Sequence, residues 1–385
     1  MKQKSLHITI GSSPQPIKGT NALAHSVQND LQLIKAALLY ADKVKLCSLA
    51  TSLVLITNSL EEFSTAKRIE FIEFVQACAP EAEGIDEITK FTQSYREARR
   101  KRYSKKGQAT LHQLETFLDK FWPKAREVGD NLFREVGGNE VANAINSGLL
   151  EVHSFNGPLA QAFQDPKQGG WVVEFVNEVG SAVSDASTYP LFDQATGNLI
   201  RTGIRAKIIP VSHSALVRGK EIGLAADLIE RLPLFEQASV DEILDIREEL
   251  QRHLIRFRGA MINFSDSIMN AAWDEDFTFD AEQIFRRDVA PEILNIEDEV
   301  KANPYLAELT RKWITQPFAI PSGIAALGLS LSNQPLPALA ALAVGTVINT
   351  ALAVYDTHKE HRNKQLSIER NNLFFYYQAG KLIHK

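Results

Sequence analysis

Apolar and polar positions alternate at the start of the chain and then settle into longer periods. "SLHITIG", residues 5–11, has the two-residue alternation and β-branched character of a strand, and the turn-rich "GSSPQPIKGTN" follows it. In "NDLQLIKAALLYA", Leu31, Leu33, Ile34, Ala37, Leu38 and Leu39 recur at helical spacing, with Asp30 expected to cap the first free amides. "KVKLCS" then reads as a second strand. Strand, helix and strand in that order predict a parallel crossover whose sheet must be covered on both faces.

From about Leu60 the period becomes helical. The segments "EEFSTAKRIEFIEFVQACA", "IDEITKFTQSYREARRKRY" and "TLHQLETFLDKFWPKAREVGDNLFREV" are predicted helices, punctuated by Pro80 and Gly107. Between Gly157 and Ser214, "GPLAQAFQDPKQGG", "YPLFDQATGN" and "AKIIPVSHS" mix turn residues with short apolar runs. A second strand region is expected there, with a helix near Trp171 to Val183.

Farther on, Ser239 and Glu242 form a reciprocal capping box ahead of one long helix. Its predicted seam runs through Ile243, Ile246, Leu250, Leu254, Phe257, Met261, Phe264 and Ile268. Asp280 with Gln283 repeats the capping pattern, and Pro291 is expected to kink or end the helix that follows.

The run from Trp313 to Tyr355 contains no Asp, Glu, Lys, Arg or His. Asn333, Gln334, Pro335 and Pro337 divide it into two arms, which predicts an apolar helical hairpin. Ile324, Leu327, Leu329, Leu339, Leu342, Val344, Val347, Ile348 and Leu352 are its candidate core-filling or membrane-facing side chains. The first arm is too short to cross about 30 Å of hydrocarbon, so burial among long amphipathic helices is expected, with release to lipid on a trigger as the functional variant.

Composition narrows the function classes. Apolar residues make up 44% and charged residues 23% of 385 residues, which excludes wholesale disorder and a polytopic membrane protein. A formal charge of -5 exerts no global pull toward nucleic acid or acidic lipid, so such attraction must be local. Two cysteines, Cys47 and Cys78, do not make a disulfide framework, and the apolar stretch in "MKQKSLHITIG" is too short for a secretory signal core. A cytoplasmic location, peripheral to the inner membrane in the triggered state, is the resulting expectation.

The local attraction has one candidate. "REARRKRYSKKG" gathers Arg96, Arg99, Arg100, Lys101, Arg102, Lys105 and Lys106 against Glu97 alone, a density suited to the phosphates of nucleic acid or lipid headgroups. Other comparisons fail. In "GSSPQPIKGT" Lys18 precedes Gly19, reversing the order that a phosphate loop requires. His358, Glu360 and His361 lack a further ligand in sequence, and Ser212, His213 and Ser214 are adjacent rather than arranged as nucleophile and base. Neither a cofactor nor a metal is expected, no catalytic residue is assigned, and a non-enzymatic role is the reading.

"LIKAALLYADKV" and "LPLFEQASVDEILDIREELQRHLIRFRGAM" together resemble bacterial proteins in which an "ALLYADKV"-type crossover precedes a long helical region, some of them from genome-island and phage-defence loci. The resemblance implies a stress or defence role and carries no functional residue with it. The chain is accordingly expected to be a predominantly helical α+β protein. Its segments are a strand–helix–strand unit at 1–58, a helical region with the basic cluster at 59–150, a mixed region at 151–235, and a helical region at 236–385 holding the hairpin 313–355. The expected role is interaction, with a protein partner or a second copy, or with membrane lipid through a released hairpin; the alternative is a nucleic-acid-binding or nuclease-like defence protein that uses the basic cluster near 96–106.

Overall fold

The computed structural model describes residues 5–12, 20–58, 64–78, 85–155, 170–302 and 368–383. Among them the chain is predominantly helical around one small parallel sheet, the expected α+β class. The apolar run 313–355, with every hairpin side chain named above, lies outside the described residues, as do Lys18, His358, Glu360 and His361.

The sheet is built from β1 (His7–Ser12), β2 (Lys43–Ser48), β3 (Leu150–Val152) and β4 (Tyr189–Phe192), all parallel, in the order β3-β2-β1-β4. Strands from the amino-terminal and middle segments thus share one sheet. Side-chain alternation gives each strand two apolar faces. Ile8, Ile10, Val44 and Leu46 belong to the larger core, whereas Cys47 faces a second, smaller one.

Helix α1 (Thr20–Tyr40) makes the crossover between β1 and β2. Asp30 lies well inside it and does not cap it, because Leu23 and Val27, both buried, carry the apolar face upstream in steps of three and four and the helix continues with it. Helices α2 (Leu49–Asn58), α3 (Thr65–Cys78), α4 (Ile85–Arg100), α5 (Lys105–Glu135) and α6 (Gly138–Asn146) lie between β2 and β3. The opposite face is covered by α7 (Gly170–Ser184) and α8 (Gln194–Arg205), which supply Phe175, Val179, Val183 and Ile200 to the smaller core.

The remaining helices are α9 (His213–Glu230), α10 (Val240–Glu249), α11 (Gln251–Ser265), α12 (Phe277–Ile284), α13 (Ala290–Ala302) and α14 (Phe374–Leu382). The capping box forms as expected: the Glu242 amide donates to Ser239 Oγ at 3.2 Å and the Ser239 amide to Glu242 Oε2 at 2.6 Å. The long seam does not form one rod. It breaks at Leu250, with φ -97° and ψ 10°, so that α10 follows α1 while α11 turns toward α9 and α14. Phe257 of α11 then stacks on Phe375 of α14 at 5.1 Å.

Three further expectations are corrected. "AKIIPV" is not a strand; Lys207 adopts φ 59°, the Ile208 amide returns to the Gly203 carbonyl at 2.9 Å, and Ser212 caps α9. Asp280 does not cap a helix, since α12 starts at Phe277 and the carboxylate instead accepts from Asn270 Nδ2 at 2.9 Å. Pro291 does not end its helix: α12 runs through a π-helical turn at Phe285–Val289 directly into α13, and that irregular turn lies immediately before the proline and accommodates its missing amide.

Candidate functional site

Two places carry polar groups beyond those the fold requires. The first is the basic cluster. On α4 the apolar face holds Tyr95 and Ala98, both buried, against α5, and a Phe91–Phe117 ring pair at 5.5 Å joins the two helices. Arg96, Arg99 and Arg100, three and four positions apart, fall on the opposite side and line an open concavity. A four-residue turn then returns the chain into α5. Ser104 caps α5 through the Gly107 amide at 3.0 Å and also donates to the Lys101 carbonyl at 2.9 Å.

Gly107 is demanded by this turn, because a Cβ there would stand 2.0 Å from the Lys101 carbonyl oxygen. Tight closure brings Lys105 and Lys106 beside the cations of α4. Arg96, Arg99, Arg100, Lys101, Arg102, Lys105 and Lys106 are all exposed, as sequence reading grouped them. Lys101 spends part of its charge on Glu97 at 2.8 Å. Arg102 lies 5.0 Å over the ring of Tyr103, which is 85% exposed at the tip.

The second place is the carboxyl edge of the sheet. β1 ends at Ser12 and β2 at Ser48, side by side, with both side chains on the face that α1 covers. Asp30 meets them there and is fully buried. Its Oδ2 accepts from the hydroxyls of Ser48 and Thr51, the latter at 2.5 Å. Burial pushes the carboxyl up to about 6, against the pull of the Ser12, Ser48 and Thr51 hydroxyls, and the charge of Asp193 adds to the rise. Ser12 stands close enough to favour the ionised form yet outside hydrogen-bond geometry. Ser12 Oγ and Asp30 Oδ1 are therefore buried without a partner.

Across β1 the same edge is closed by β4 and α8. The Asp193 amide donates to the Gly11 carbonyl at 3.1 Å, while the Asp193 carboxylate caps α8 through the Thr196 amide at 2.7 Å. Gly11 permits this approach, since a Cβ would lie 2.7 Å from Val179 and 3.0 Å from the Thr196 methyl. Thr196 is fully buried and its Oγ1 has no partner.

Sequence reading missed this edge. Its signal was an acid at a position of the apolar period: Val27, Asp30, Leu31 and Ile34 share one helical face, and a buried acid in that series needs a reason. Among the described residues at the edge, none is an activated nucleophile. Burial pushes the neighbouring Cys47 thiol up to about 12, which leaves it inert. Among the described residues no group of three or more His, Cys, Asp and Glu is arranged to hold a metal, and no helix is long and apolar enough to cross a membrane.

No protein-family model, curated protein or solved structure matches the chain.

Proposed function

We propose that the protein is a non-enzymatic interaction protein that holds nucleic acid through the tip of the α4–α5 hairpin. The observation that carries this reading is the gathering of seven exposed cations on one turn, with Glu97 as the acid among them. Arginine supplies four of the seven, and its planar fork suits phosphate oxygens. Tyr103 adds an exposed ring on which a base can stack.

Lipid is the weaker partner for this surface, because a membrane-seeking tip pairs its cations with an apolar face. Exposed large apolar side chains at the turn amount to Tyr103 among the described residues. Release of the 313–355 hairpin to membrane rests on its sequence, and the stress or defence setting on the resemblance to proteins of phage-defence loci.

Fluorescence anisotropy with labelled RNA and DNA, single-stranded and duplex, tests the reading. Binding should be indifferent to sequence and should fall about a thousandfold between 50 and 200 mM salt if about six phosphates are engaged. The triple change Arg99→Glu, Arg100→Glu and Arg102→Glu should abolish it. Retention of binding by that variant, or association with anionic vesicles in place of nucleic acid, would defeat the proposal.

A further inference from the structure

We propose that the carboxyl edge between β1 and β4 is a binding site for the sugar hydroxyls of a nucleoside or nucleotide, with Asp30, Ser12 and Thr196 as its contacts. The inference is independent of the basic tip.

Three observations converge on it. The first is position. In the order β3-β2-β1-β4, the connections that follow β1 and β4 leave toward opposite faces of the sheet, α1 covering one and α8, with α7, the other. Strands β1 and β4 therefore flank the point at which the winding reverses. Open parallel sheets bind ligands just outside the carboxyl ends of their strands at such a point.

The second is unmet hydrogen bonding. Six buried side-chain polar atoms lack a partner among the described residues, and three of them, Ser12 Oγ, Asp30 Oδ1 and Thr196 Oγ1, lie at this edge. A folded chain normally pairs nearly all such groups, so a concentration of unpaired ones at a ligand-binding position points to a ligand. Asp30 and Thr196 come from opposite sides of β1, on α1 and α8, so the unmet groups bracket the strand end rather than crowd one helix.

The third is chemistry. Asp30 Oδ1 can only accept while ionised, whereas each hydroxyl can both donate and accept. Among the described residues, Asp30 on α1 and Asp193 at the start of α8 are charged groups at this point, and both are acids. The first turn of α8 already has the Asp193 carboxylate as its cap, and Ser48 caps α2 through the Thr51 amide at 3.3 Å. An anion placed directly here meets two carboxylates and two occupied helix starts. A sugar diol supplies the matching chemistry: one hydroxyl can donate to Asp30 Oδ1 while others exchange hydrogen bonds with Ser12 and Thr196.

Calorimetric titration of the full chain with adenosine, guanosine, cytidine and uridine, and with their triphosphates, identifies the ligand form. Parallel titrations use 2′,3′-dideoxyadenosine and the other dideoxynucleosides. At least one ribose compound should bind and raise the melting temperature with concentration. Its dideoxy counterpart should bind at least about tenfold more weakly, as should Asp30→Asn and Thr196→Val. Thr196→Val keeps shape and breaks no hydrogen bond, so its ligand-free melting temperature should match the parent. Failure of every compound to bind would overturn the proposal, because the unpaired groups would then hold only buried water. Equal binding of ribose and dideoxy forms, or unchanged affinity in both variants, would overturn it as well.

Discussion

At the amino edge of the sheet Asp42 accepts the Leu6 amide at 2.8 Å and meets two guanidiniums, Arg258 at 2.9 Å and Arg247 at 3.3 Å, whereas at the carboxyl edge Asp30 keeps one oxygen unpaired. The amino edge is a closure. Arg247 and Arg258 also reach the Leu38 and Tyr40 carbonyls, satisfying acceptors at the end of α1 that the helix itself leaves open. Tyr40 donates to Glu221 at 2.8 Å in the same knot, and of the unpaired buried atoms Arg218 Nη1 lies on this side. Burial pushes Asp42 up, but the Leu6 amide and the two arginines outweigh it and hold the carboxyl below its ordinary range. One aspartate is held as a charge that the fold uses, and the other as a charge that the fold tolerates.

The largest expected effect comes from breaking the closed edge. Arg258→Ala removes a buried cation bound to Asp42 and Tyr40, and should lower the unfolding free energy by about 3 kcal/mol in urea denaturation at pH 7. A change within experimental error would show that the knot contributes nothing to stability.

Next is a difference in pH dependence. Asp30 titrates at about 6 in the folded chain against an ordinary 3.8, so the native state holds the extra proton. Stability from this group is therefore complete below 3.8 and is lost as pH rises through about 6, a decline on the order of 3 kcal/mol. Asp42, shifted the other way, contributes stability that is lost as pH falls. Urea titrations from pH 4 to 7 should show a flatter profile for Asp30→Asn than for the parent. Parallel profiles would remove the asymmetry between the edges.

The smallest effects sharpen the contrast most. Tyr40→Phe deletes a buried hydrogen bond and should cost about 2 kcal/mol, because Glu221 loses a donor. Thr196→Val deletes a hydroxyl with no partner and should cost under about 0.5 kcal/mol by the same measurement. Equal costs would mean that the carboxyl edge is as well satisfied as the amino edge.

Much of the scaffold was legible because local patterns carried it. β1, α1, β2 and the Ser239–Glu242 capping box follow from alternation, helical spacing and reciprocal side-chain geometry within a few residues. The basic tip was legible for the same reason, its cations lying on one short stretch. The carboxyl edge was not, since Ser12, Asp30 and Thr196 are far apart in sequence and meet only through strand pairing and helix packing. Asp30 preceded by a polar residue mimics a helix start locally, and its burial was decided by Leu23 and Val27 upstream. The break at Leu250 was equally hidden. An unbroken apolar seam describes a rod well, but α1, α9 and α14 present surfaces that no straight rod follows.

Helix α5 has 31 residues, which sets a span of about 46 Å between its ends. Its far end carries the cations, while Val136, just beyond its near end, is buried in the larger core beside α1. A polymer gripped at the turn and a small molecule lodged over the strands would be too remote to touch. Occupancy of one berth leaves the other physically open, and any message between them has to travel through α5 and the helices α2 and α4 packed against it.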